Sequence, residues 1–302
     1  MKAKRSIAPF DVLVDGLSFA EGPRWRDGRL YVSDRYTRRV LAISLGGSVE
    51  TYAHIPGKPA GIGFLPDGRL LIASMYDRRV LRREHDGVIV EHADLTALAP
   101  GLLNDMLVDH EGRAWVGNFG FDLFAGAPAC PTVLIRVDPD GRAAVVADGL
   151  SFPNGTVLTP DRRTLIVAET MANRLTAFTV SGDSLTDQRI WTAFGDPPKS
   201  TDVSQLVTQA DVVPDGICLD VEGAVWVADV IKQRLIRVAE GGGILDELPT
   251  NGLCAFACML GGKDGRTLFA CAAPTFDDAE AAAHHQSSIL MTRVAVPHAG
   301  LP

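Results

Sequence analysis

Long apolar runs are missing from this chain, and so are several signatures that would define its class at once. Although 46% of its 302 residues are hydrophobic, no stretch approaches the roughly 20 apolar residues a membrane-spanning helix needs. No segment carries a helical period of useful length. Positive charge is in deficit: 29 Lys and Arg face 37 Asp and Glu, a formal charge of −8, so neither nucleic acid nor an anionic membrane is an expected partner. The opening residues, MKAKRSIAPFDVLVDG, are basic but lack an apolar core, which predicts no secretory signal. Cysteine is sparse and odd in number. Cys130, Cys218, Cys254, Cys258 and Cys271 read as reduced, mostly buried thiols of a cytoplasmic protein. Cys254 and Cys258 have no second ligand pair beside them, so they are read as core thiols and not as metal ligands. No Gly-x-Ser-x-Gly occurs, which argues against a serine nucleophile.

What the chain has instead is repetition. Six times an acidic turn leads into an apolar strand, a gap, and a strand that mostly opens on Arg or Asn. Examples are Asp27-Gly28 with LYVSD and RRVLAISL, Asp161-Arg162 with TLIVAE and NRLTAF, and Glu222-Gly223 with VWVAD and QRLIRV. Spacings of roughly 40 to 60 residues suit four-stranded propeller blades. The first copy extends to GPRWR, RLYVSD, RRVLAISLG and SVETYAHI, short runs rich in β-branched and aromatic residues and bounded by Gly, Pro and Asp. The sixth copy lacks an outer strand, and the N-terminal DVLVDG is available to supply it. The expectation is an all-β, six-bladed propeller of antiparallel four-stranded blades, closed by the N-terminal strand, with 1–302 as one domain.

Strand alternation puts the acidic turns on one face and the longest irregular segments, 119–131, 192–214 and 274–287, on the other. Loops of that kind carry sites. The innermost strand of each blade enters from that looped face. Counting back from each turn places Glu21, Gly61, Asn104, Asn154, Asp215 and Cys258 at equivalent positions near the axis. Asn154-Gly155 and Asp215-Gly216 taken singly are ordinary turn dipeptides. Together, four oxygen-bearing side chains converge. Two carboxylates in a narrow channel repel unless a cation lies between them. Oxygen donors without His or Cys suit a hard divalent ion, calcium, magnesium or manganese, with zinc also admissible.

The phrases EGPRW, NDMLVDHEGRAWVG, FPNGTVLTPDRRTLIVAE and PDGICLDVEGAVWVAD, in order over nearly the whole chain, resemble the gluconolactonase, regucalcin and luciferin-regenerating enzyme family. The resemblance implies a six-bladed propeller holding one divalent cation, calcium foremost. It implies Glu21, Asn154 and Asp215 as metal ligands, Asn104 as a contact to substrate or to metal-bound water, and hydrolysis of sugar lactones. Leu102 departs from the pattern, standing where sugar-lactone members often carry Arg, and NFGFDLF, with Phe119, is apolar where a sugar would want donors. A less hydroxylated lactone is therefore expected beside the sugar lactone. Asp215 is the candidate base for the attacking water. Two other readings stand alongside: hydrolysis of other esters or phosphotriesters, and a non-catalytic calcium-binding propeller. Trp25, Trp115 and Trp226 read as packing between blades. His284-His285, Arg38-Arg39 and Arg78-Arg79 read as solvated charges.

Overall fold

The computed structural model describes residues 9–300. Six antiparallel four-stranded sheets follow one another along the chain, and residues 11–17 supply the outer strand of the last. That closing strand, Asp11–Leu17, runs antiparallel to Ser287–Arg293, with Asp11 opposite Met291 and Leu17 opposite Ser287. The N-terminal strand thereby completes the last blade and ties the two ends of the chain together in one sheet. The expected propeller and its closure are both present. Part of the N-terminal segment read for targeting lies outside the described residues. Among the described residues no helix is long and apolar enough to cross a membrane.

Strand-forming sequence explains the blades. Second strands such as Val225–Asp229 and Thr267–Ala273 are buried at every position, as sheets packed on both faces require. Tryptophans fill the wedges between blades: Trp25 of the first stacks on Phe269 of the sixth with ring centroids 5.5 Å apart. Trp115 and Trp226 are fully buried, each contributing about 3 kcal/mol or more by burial. Cys218 and Cys258 lie in the core with sulfurs 3.7 Å apart, as free thiols.

The innermost strands are Ala20–Arg26, Pro59–Phe64, Leu103–Val108, Pro153–Leu158, Pro214–Leu219 and Cys254–Gly261. In all six the pairing register slips just inside the entrance, for instance between Pro153 and Thr156 and between Pro214 and Ile217. Such bulges re-aim side chains. Asn104, Asn154 and Asp215 lie inside the bulged stretch and Glu21 at its edge. The register also corrects two ring positions: Ala60 and Ala255, not Gly61 and Cys258, are the equivalents of Glu21. Asn154-Gly155 and Asp215-Gly216 are not turns. A Cβ on Gly155 would sit 2.4 Å from the Ile217 nitrogen, and one on Gly216 would sit 2.6 Å from the Ala257 Cα. Glycine there lets neighbouring inner strands touch backbone to backbone.

Two short helices depart from the all-strand expectation. α1 (Val203–Gln209) and α2 (Asp278–His284) lie within segments 192–214 and 274–287, capped by Asp202 and Asp277, whose side chains accept from Gln205 N and Glu280 N. At seven residues each they are too short to show a period. Arg39 and Arg78 are also not simply solvated: Arg39 pairs with buried Asp34, and Arg78 donates to the Ala99 carbonyl.

Candidate functional site

The three long segments meet over one cavity. Phe119, Leu123 and Phe124 come from the first, Val203, Val207 and Val213 from the second, and Phe276 from the third. Glu21, Asn104, Asn154 and Asp215, from blades one, three, four and five, line the same cavity. Glu21, Asn104, Phe119, Asn154 and Asp215 are thus brought together. His284 and His285 are exposed and do not line it.

The two amides are oriented by the wall. Asn104 Nδ2 donates to the Pro153 carbonyl at 3.2 Å, and Asn154 Nδ2 donates to Thr170 Oγ1 at 3.1 Å. Each NH2 has one N–H fixed on a protein acceptor, which leaves the amide oxygen and, on Asn104, the second N–H to face a ligand. Burial pushes the Asp215 carboxyl well above the usual carboxylate range, and the charges of Glu21 and Asp105 push it further, against the opposing pull of Arg35 and the Asn154 amide. Glu21 is raised by the same burial, while Arg35 holds it down.

Arg35 went unnoticed in the sequence. It follows the second strand of blade one, in a run of three arginines that reads as surface charge. In the structure it is 5% exposed, lines the cavity, and pairs with Glu21 Oε2 at 2.5 Å. Its guanidinium lies 4.5 Å over the Phe19 ring, and its Nε has no partner. A second pair, Arg24 with Asp105 at 3.3 Å, joins the innermost strands of blades one and three, and Arg24 also donates to the Pro23 and Met106 carbonyls.

Three buried carboxylates brace the strand entrances, and they too were missed. Asp34 Oδ1 accepts the Ser18 and Phe19 amides at 2.8 and 3.1 Å, just ahead of Glu21. Glu169 Oε2 accepts the Ser151 amide at 2.8 Å, ahead of Asn154, and Asp229 Oδ1 accepts the Val213 amide at 3.2 Å, ahead of Asp215. Each is closed from outside by the arginine five residues on: Arg39 at 3.2 Å, Arg174 at 2.7 Å and Arg234 at 2.8 Å. The three blades so braced are those that carry the expected metal ligands. Blade three, which supplies Asn104, uses Asn118 instead, accepting from Thr132 and donating to Val133. The sequence signal was present as SDRYTRR, AETMANR and ADVIKQR, an acid ending one strand and Arg five residues later.

Among the described residues no group of three or more His, Cys, Asp or Glu side chains is placed to hold a metal. The cavity floor offers two carboxylates and two carboxamides, a donor set that fits a hard divalent cation. The single Arg35 guanidinium against the Glu21 and Asp215 carboxylates leaves one negative charge in excess when both are ionised.

The family model described as SMP-30/Gluconolactonase/LRE-like region matches residues 19–273. A 6-deoxy-6-sulfogluconolactonase of Pseudomonas putida is 30% identical over 201 residues, 66% of this chain and 64% of that protein. Regucalcin of Danio rerio is 26% identical over 183 residues, 60% of this chain and 57% of its own. The match thus spans less than two thirds of these curated relatives. A gluconolactonase structure from Xanthomonas campestris superposes with a TM-score of 0.72 at 25% identity, covering 95% of this chain and 89% of the other. The propeller, the axial cavity and the match over residues 19–273 agree, and the chain belongs to the SMP-30/gluconolactonase/LRE-like family.

Proposed function

We propose that this protein is a divalent-cation-dependent hydrolase that opens lactone rings at the cavity floor. The observation that carries the reading is the convergence of Glu21, Asn104, Asn154 and Asp215, from four separate blades, on one cavity. Glu21, Asn154 and Asp215 are the residues that would hold the ion, with calcium favoured by the all-oxygen donor set. When bound, the ion would supply positive charge opposite the carbonyl oxygen that becomes negative during attack. Asp215 accepts the proton of the attacking water, and the same carboxyl returns it to the ring oxygen as the C–O bond breaks. Burial raises the Asp215 carboxyl in the ion-free cavity; a bound cation would pull it back down and make it a weaker base, and a lactone, as an activated ester, asks little of that base. Asn104 offers its remaining N–H to substrate, and Phe119 shields that side from bulk water. Relatives named as lactonases, at 30% and 25% identity, support the reaction class.

The test is acid release from a lactone panel, before and after exhaustive chelation. Loss of at least a hundredfold, restored by adding back a divalent ion, is the expected result. Full activity in chelator ends the cation assignment, and no acid from any lactone ends the hydrolase assignment.

Arg35 makes a separate prediction. Its charge competes with a cation for Glu21, so Arg35→Met should tighten divalent-ion binding at least tenfold, about 1.4 kcal/mol, read by calorimetry. Unchanged affinity would show that the ion lies out of its reach. Stability should also respond to pH. The folded-state pKa of Asp215 is raised, so its contribution is fully present below the unfolded value and is lost as pH rises through the folded one. Chelator-treated protein should therefore melt at progressively lower temperature as pH rises above about 4, and Asp215→Asn should flatten that slope.

A further inference from the structure

The upper cavity departs from what a polyhydroxylated ring needs. Its polar lining is confined to Glu21, Arg35, Asn104, Asn154, Thr170 and Asp215, and much of that capacity is already engaged: Arg35 with Glu21, Thr170 with Asn154, Asn104 with Pro153. Above this floor the lining is carbon. Phe119 and Phe152 stack with centroids 4.4 Å apart, and Phe124 tilts against Phe119 at 6.0 Å. Leu102 packs against the hydrophobic cluster that includes Phe119 and Phe152. Val203 and Val207, one turn apart on α1, both face in. At the rim Phe276 and Ile231 are 49% and 39% exposed, and both line the cavity.

A sugar lactone placed here would strip water from several hydroxyls and offer them no partner, which is costly. An alkyl or aryl substituent would instead cover the phenylalanines and the exposed rim. We propose that the substrate is a lactone whose ring lies on the polar floor and whose apolar side chain, of roughly four or more carbons, fills this collar. The proposal rests on the lactone-hydrolase reading for its ring and on the collar alone for its side chain.

Two measurements keep these apart. In the first, kcat/KM is compared for δ-hexyl-δ-valerolactone, unsubstituted δ-valerolactone and glucono-δ-lactone, with divalent ion present. Burial of a methylene contributes about fourfold, so four buried methylenes predict a preference for the hexyl lactone of the order of two hundredfold over the unsubstituted ring. Phe276→Ser with Ile231→Ser should remove at least tenfold of that preference through KM, with kcat nearly unchanged. Equal or better turnover of glucono-δ-lactone overturns the proposal and leaves the hydrolase reading standing. In the second, binding of 2-hexyltetrahydropyran and tetrahydropyran, which cannot be hydrolysed, is measured by calorimetry. Tighter binding of the hexyl ether without hydrolysis of any lactone would support the collar and end the hydrolase reading. Equal binding of the two ethers overturns the collar.

Discussion

Asp215→Asn should lower lactone turnover at least a thousandfold, about 4 kcal/mol of transition-state stabilisation. The amide keeps the shape of the carboxyl and can still hydrogen-bond Asn154, so the fold should survive. Two functions disappear together: the base that takes the proton of water, worth a hundred- to ten-thousandfold in comparable sites, and one of two negative charges facing the cation. The variant should accordingly show both slow turnover and weak ion binding. Asn104→Ala separates these roles. Its remaining N–H is expected to meet substrate, so turnover should fall ten- to a hundredfold while ion affinity stays the same. If Asp215→Asn retained more than a tenth of wild-type activity, the base would have to be assigned elsewhere.

The second large effect is expected away from the cavity. Glu169 is fully buried, holds Arg174 through two contacts of 2.7 and 3.1 Å, and takes the Ser151 amide at 2.8 Å. Glu169→Ala would leave the half-buried Ser151 amide without its acceptor and Arg174 without its counter-charge. Breaking such pairs costs about 3–5 kcal/mol. Arg174 is 26% exposed and can recover some water, which places the loss near the lower limit, about 3 kcal/mol. For a chain of this length that corresponds to a fall in denaturation temperature of about 5 °C. Because the Ser151 amide leads into Asn154, ion affinity should drop as well, by about tenfold. Glu169→Gln retains an acceptor for Ser151 and should recover part of the ion affinity while remaining less stable than wild type. A purely structural brace would lower the denaturation temperature and leave the affinity of the folded protein unmoved.

The repeat made the propeller legible because each blade declares itself through its turn and its two central strands, and six copies of one error are improbable. The ring of oxygens was legible for the same reason: Glu21, Asn104, Asn154 and Asp215 recur at one place in the cassette. Local detail was not. Counting from the turns assumes a fixed distance from turn to strand entrance, but it runs from six residues (Glu21 to Asp27) to nine (Ala255 to Asp264), so the count reached Gly61 and Cys258 where pairing puts Ala60 and Ala255. Asn-Gly and Asp-Gly have the composition of turns. Here the glycines are required by close approach of strands that are distant in sequence, which single-chain periodicity cannot express. Arg35 was hidden by its neighbours, since Arg38 and Arg39 share its run and only the third dimension separates the one that enters the cavity. The carboxylate–arginine braces were visible as a five-residue spacing, but their meaning depends on a third partner some 16 to 18 residues away in sequence.

Arg35 also shapes how the centre should behave without an ion. It partly neutralises Glu21 and keeps the cavity from holding two bare carboxylates, which would favour a folded, preorganised apo state. The same guanidinium would then have to yield or share Glu21 when the ion arrives, coupling ion affinity to the position of the first blade.

Calorimetric titration of calcium into exhaustively chelated protein tests the central assignment most directly. A single saturable site of unit stoichiometry, lost in Asp215→Asn and tightened in Arg35→Met, is the predicted result. Absence of binding by the wild type to calcium, zinc, magnesium and manganese alike, or binding that Asp215→Asn leaves intact, would contradict it.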